Sequence, residues 1–109
     1  MSAADGPLVG LLVGSESDRD AMQPALDELD ARGIPYEFEV RSAHRNPDAV
    51  AAHSDLPVIG VPLRSRLSVL DGLDALLSIA QMPPGVPVAA VGVGNAKNAA
   101  VLAARILDS

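Results

Sequence analysis

Two periods of apolar and polar positions alternate along the chain, and the switches between them mark its elements. Residues 8–13, LVGLLV, form a continuous apolar run that ends at Gly14. A short run of this kind bounded by glycine predicts a strand buried on both faces. Beyond Ser15-Glu16-Ser17-Asp18, apolar residues recur at steps of three and four at Met22, Ala25, Leu26 and Leu29. That is the spacing of an amphipathic helix, here ending near Gly33. Pro24 cannot donate a helix hydrogen bond, so the regular helix is expected to begin nearer Asp20 than Ser17. Tyr36, Phe38 and Val40 then alternate with Glu37 and Glu39, the period-two signature of a half-exposed strand.

The second half of the chain repeats the alternation. Asn46 suits a helix cap and Pro47 a first helical turn, which predicts a very short helix over 48–53. A third strand follows at 57–61, closed by Pro62. Leu70, Leu73, Leu76, Leu77 and Ala80 make a helical stripe over 69–81 that Pro83-Pro84-Gly85 stops. A fourth strand spans 87–93, with Pro87 at its start, where a missing donor is tolerated. The last helix runs over 99–107 through Val101, Leu102, Ile106 and Leu107. Strands alternating with helices predict an α/β fold, a three-layer parallel sheet with helices on both faces, flavodoxin-like or Rossmann-like. Ligands of such folds bind at the carboxyl ends of the strands.

Composition narrows the function. With 109 residues, 49% of them hydrophobic, the chain is expected to form one domain over 1–109. Its core is aliphatic, since Tyr36 and Phe38 are the only aromatics. The net charge of −6 argues against a nucleic-acid partner, which requires a basic field. The absence of cysteine removes disulfides, thiolate zinc sites and cysteine nucleophiles. Two histidines set apart from most carboxylate clusters give no reason to expect a metal. No apolar run reaches the ~18–20 residues that span a membrane, and no basic segment precedes residue 8, so a cytoplasmic protein is expected. Seven of the eight basic residues are Arg and ten of the fourteen acids are Asp, a bias shared by salt-adapted proteins and GC-rich genomes.

Three polar loops follow strands. Gly14-Ser15-Glu16-Ser17-Asp18 can turn sharply and present hydroxyls and backbone N–H groups to a phosphate, with Asp18 accepting from ribose hydroxyls. Ser and Asp are equally the usual helix caps, and the Gly-Lys-Ser/Thr ending of a P-loop is absent. Ser42-Ala43-His44-Arg45 carries a histidine suited to proton transfer near neutral pH and an arginine whose planar fork can hold a phosphate or carboxylate. A solvent-exposed charged loop is its plain alternative. Neighbouring parallel strands would bring these two loops together. Gly92-Val93-Gly94-Asn95 reads as a tight turn into the last helix, with Lys97 facing solvent and His53 at a helix end.

Five stretches, VGLLVGSESD, IPYEFEVRSAHRNPD, LPVIGVPL, LDGLDALLSIAQMPPGVPVAAV and NAAVLAARIL, cover most of the chain. In that order they resemble the N5-carboxyaminoimidazole ribonucleotide mutase family, the catalytic-subunit family of phosphoribosylaminoimidazole carboxylase. The resemblance implies a purine-biosynthesis enzyme that moves a carboxylate from N5 to C4 of an aminoimidazole ribonucleotide. Direct carboxylation at C4 is the other branch, and neither needs a metal or organic cofactor. By position, His44 would be the general acid/base. Ser15 and Asp18 would hold the ribose-phosphate, Arg45 would add a contact, and Ser17, Ser42 and Ala43 would line the pocket. The family also implies a homo-octamer in which residues 78–83 approach a neighbour's site.

One departure bears on activity. Where the family has a helix, a strand and a Gly-rich loop with an AAHLPG-like motif, this chain has only Ala49 to Asp55 between Asp48 and Leu56. His53 is not equated with that loop's histidine. One βα unit is thus missing between about 48 and 56. A parallel crossover takes roughly a dozen residues, whereas ten separate Arg45 from Leu56. A lost central strand also leaves a hole in the sheet with unpaired backbone on both neighbours. Both constraints favour a segment omitted from the sequence over a true deletion. A true deletion points instead to an impaired paralogue or ribonucleotide-binding module without the second active-site loop.

Overall fold

β1, Val9–Val13, and β2, Tyr36–Val40, pair in parallel with Val9 beside Tyr36, Leu11 beside Phe38 and Val13 beside Val40. The computed structural model describes residues 8–13, 15–40, 56–63 and 83–108. Between the two strands runs α1, Arg19–Ala31, entered through a single 3₁₀ turn at Glu16–Asp18. The regular helix therefore begins one residue before the expected Asp20, and Pro24 sits at its sixth position, exposed, without ending it. Its end is a Schellman motif: Ile34 N donates to Leu29 O (3.0 Å) and Gly33 N to Asp30 O (3.1 Å). Gly33 supplies the left-handed conformation this requires, at φ 67°.

The second half holds two short strands, β3, Ile59–Gly60, and β4, Ala89–Ala90, again parallel. They are shorter than the periods at 57–61 and 87–93 predicted. α2, Ala96–Leu107, starts three residues before the expected Ala99. The cause is a cap: the Asn95 side chain accepts from Asn98 N at 3.2 Å, so the helix opens directly after the turn. No described helix is long and apolar enough to cross a membrane.

Parallel strands and amphipathic helices make the α/β fold that the alternation predicts. Among the described residues, however, the strands form two separate two-stranded sheets, β1-β2 and β3-β4. α1 and α2 pack on each other, and α2 also reaches β3. Buried Leu11 and Val13 of β1, Met22, Ala25, Leu26 and Leu29 of α1, and Ala96 and Ala100 of α2 form one cluster. Alanines at 96, 100 and 104 let α2 approach closely along one stripe. Both described helices thus lie on the Leu11–Val13 face, and the opposite face of β1 is open, with Leu12 42% exposed. The expectation of a strand buried on both faces is corrected: among the described residues, β1 is covered on one. The helices expected over 48–53 and 69–81 lie outside the described residues.

Two leucines of opposite environment test this core. Leu29, 1% exposed, should lose about 2–5 kcal/mol on Leu29→Ala, the range for a buried leucine that leaves a cavity. Leu12→Ala on the open face should cost under about 1 kcal/mol. Urea unfolding monitored by circular dichroism reads both, and equal losses would contradict the one-sided burial.

Candidate functional site

β1 and β2 end level, Val13 against Val40. Strands in a sheet lie about 4.8 Å apart, so the chain leaves both carboxyl ends from neighbouring points. Ser15 stands two residues beyond Val13, and Ser42 stands two beyond Val40. The roots of the two polar loops are therefore adjacent, as expected of neighbouring parallel strands. Ser42, Ala43, His44 and Arg45 themselves lie outside the described residues, as do Gly14 and His53.

The turn after β1 is built by its own side chains. Ser15 has extended backbone, φ −149° and ψ 149°, and its Oγ accepts from Ser17 N at 3.3 Å. The Ser15 and Ser17 hydroxyl oxygens are 2.9 Å apart and share a hydrogen bond. Asp18 N donates to Ser15 O at 3.0 Å, and Arg19 N donates to Glu16 O. The N–H groups of residues 17, 18 and 19 are thus used within the turn. The turn also presents the exposed Ser15 and Ser17 hydroxyls and the Asp18 carboxylate.

Ser15 and Asp18 differ in their cap geometry. Ser15 is the cap of the 3₁₀ turn. Asp18 occupies the cap position of α1 yet makes no side-chain cap hydrogen bond, and it is half-buried. Its carboxylate is therefore open to accept from a vicinal diol, which is the chemistry a ribose presents. Arg19, which no motif singles out in the sequence, lies beside this turn. Its Nε donates to Glu16 Oε1 at 2.7 Å, and its Cζ stands 4.3 Å from the centroid of the Phe38 ring on β2.

At the carboxyl end of β4 the chain makes the tight turn expected of Gly92-Val93-Gly94-Asn95. Gly94 has φ 72°, Asn95 N donates to Gly92 O at 3.0 Å, and Gly94 N donates to Pro62 O at 2.7 Å. The last bond ties the loop after β4 to the loop after β3. Lys97 is exposed, as expected. An open groove of about 370 Å³ beside α2, lined by Val91, Asn98, Val101, Leu102 and Arg105, shares no residue with the Ser15–Asp18 turn. Among the described residues no three His, Cys, Asp or Glu side chains are grouped to hold a metal ion.

Comparison with known proteins gives the chain's relatives. A sequence model of the AIR carboxylase family matches in two stretches, residues 8–51 and 47–109. N5-carboxyaminoimidazole ribonucleotide mutase of Pyrococcus horikoshii is 44% identical over 133 aligned positions, covering 95% of this chain and 74% of that protein. The enzyme of the same name from Thermotoga maritima is 44% identical over 130 positions, covering 93% of this chain and 75% of its own length. An alignment of 133 positions exceeds the 109-residue chain by 24, so at least that many positions have no counterpart here. The crystal structure of Treponema denticola PurE superposes with a TM-score of 0.63 at 29% identity, over 94% of this chain and 80% of that one. With both halves matched in order and the Ser15–Asp18 turn standing beside the end of β2, the chain belongs to the AIR carboxylase family.

Proposed function

We propose that the chain acts in purine biosynthesis on a carboxyaminoimidazole ribonucleotide held at the carboxyl ends of β1 and β2. The observation that supports this reading is the level ending of the two strands, Val13 against Val40, with Ser15 following one end and Ser42 the other by two residues in sequence. The Ser15 and Ser17 hydroxyls and the Asp18 carboxylate take the ribose-phosphate. Arg45 adds a charge-assisted contact, and Ser42 and Ala43 line the pocket.

His44 handles the proton. Cleavage of the N5 carbamate releases CO2 and leaves nitrogen needing a proton, which an imidazolium supplies. Attack of C4 on that CO2 forms the new carbon–carbon bond, and the C4 proton then returns to the imidazole. The sequence is proton-neutral and isomerises the substrate, so one histidine suffices and no cofactor is required. Direct carboxylation of the uncarboxylated ribonucleotide at C4 is the second branch. The homo-octamer and the cytoplasmic setting belong to the same reading, with a small-molecule partner rather than nucleic acid or membrane.

A specific observation favours a second reading. At least 24 aligned positions of the Pyrococcus relative are empty here, the family match divides at residues 47–51, and the described strands form two sheets instead of one. These features support a chain lacking one βα unit between about 48 and 56, and with it a loop over the substrate. Such a chain would bind the ribonucleotide and turn it over poorly.

Intact mass of the purified protein first fixes the chain length. Turnover is then measured with the N5-carboxylated substrate and with the uncarboxylated one plus bicarbonate, and the N5-carboxylated substrate should react faster. His44→Asn should lower turnover about 10²–10⁴-fold with binding nearly unchanged. Arg45→Ala should mainly weaken binding, by about 1.5–3 kcal/mol. Equal turnover in His44→Asn and the parent would overturn the assignment, and binding without turnover in the parent would establish the second reading. Light scattering should show an octamer, and a monomer at micromolar concentration would count against that assembly.

A further inference from the structure

Arg19 is the first residue of α1, where its charge meets the positive end of the helix dipole. That placement opposes helix stability. The guanidinium nevertheless has two partners on two different parts of the fold. Glu16, 2.7 Å from its Nε, opens the 3₁₀ turn directly after the Ser15 cap. Phe38, whose ring centroid is 4.3 Å from its Cζ, is the middle residue of β2 and packs against the buried cluster. The Arg19 and Glu16 side chains are 46% and 69% exposed, and ion pairs so open to solvent add little to folding stability. What the pair of contacts does supply is geometry. One end holds the turn after β1 and the other holds the strand that leads to residues 42–45.

We propose that Arg19 is a positioning residue that clamps the Ser15–Asp18 turn to β2, and so holds the Ser15 and Ser17 hydroxyls in place against that strand. Phe38 is the fixed point of the clamp. Its ring is anchored by the core, so a guanidinium stacked on it is located to within the contact distance. Glu16 transmits that location to Ser15 and Ser17, whose hydroxyls share one hydrogen bond. Without the clamp, only the internal bonds of the turn hold it, and one of them, Ser17 N to Ser15 Oγ, is 3.3 Å. Arg19 touches no reacting atom in this role. It acts through Glu16 and the turn.

This inference rests on the ribonucleotide reading for its ligand, and the experiment separates the two. The full chain, Arg19→Ala, Arg19→Lys, Phe38→Leu and the Arg19→Ala/Phe38→Leu double variant are titrated with carboxyaminoimidazole ribonucleotide under conditions where all are folded. Arg19→Ala should raise Kd about fivefold, the scale of one exposed cation–π contact plus one exposed ion pair. Arg19→Lys keeps the cation over the ring and should recover part of the loss. The double variant should bind no more weakly than Arg19→Ala, because both substitutions break one linkage. Amide exchange at Ser17 and Asp18 in the ligand-free proteins is the second readout, and Arg19→Ala should speed it. A lowered Tm with unchanged Kd and unchanged exchange marks a merely structural residue and overturns the proposal. If the parent chain binds no ribonucleotide, the functional reading falls, and the exchange rates alone decide the clamp: faster in Arg19→Ala supports it, equal rates overturn it.

Discussion

The parallel register of β1 and β2 is the constraint from which the candidate site follows. Parallel strands cannot be joined by a tight turn, so the chain must cross back through α1, and both strands must then release their loops at the same edge. The pairing of Val13 with Val40 makes those releases level. A shift of one residue would turn Phe38 away from the helix face and remove it from Arg19. Register therefore controls two things at once: which side chains enter the core, and whether Phe38 lies within reach of Arg19 beside the Ser15–Asp18 turn.

Division of the described strands into two small sheets has a different physical weight. An open edge of a central strand leaves backbone donors and acceptors without a ladder, and only solvent or another chain element can satisfy them. α1 and α2 offset this from one side, because the alanine stripe of α2 packs against Ala25, Leu26 and Leu29 without needing a continuous sheet beneath it. The side bearing Leu12 has no such cover among the described residues. Among those residues, helix packing rather than sheet continuity joins the β1-β2 and β3-β4 halves.

The sequence made the first half more legible than the second. Met22, Ala25, Leu26 and Leu29 specify α1 and its buried stripe, and Gly33 marks its end because only glycine enters the left-handed cap without strain. The Tyr36–Val40 alternation located β2 to the residue. Period alone could not tell that Leu12 would be open, since an all-apolar run is compatible with burial on one face or two. It also missed the start of α2, where an Asn95 side chain bonded three residues ahead outweighs the apolar period that begins later. In the candidate site, Ser15, Ser17 and Asp18 were readable as types suited to both caps and ligands. Which of them caps was not, because it depends on which hydroxyl meets which N–H. Arg19 gave no periodic signal at all. Its anomaly, a cation in a first helical turn, is visible only when the dipole is considered.

α2 packs on α1 and also reaches β3. That placement gives it a temporal role. The β1–α1–β2 unit is complete by residue 40 and its contacts are local, so it can form while later residues are still being synthesised. Docking of α2 onto α1 closes a loop of more than sixty residues, an entropic cost that falls on a single late event. Until residues 96–107 arrive, the buried faces of Leu26 and Leu29 have no partner from α2. A nascent chain thus lacks the α2 part of the cover over Leu26 and Leu29 until residues 96–107 have emerged, and its exposure to chaperones depends on how quickly that helix follows.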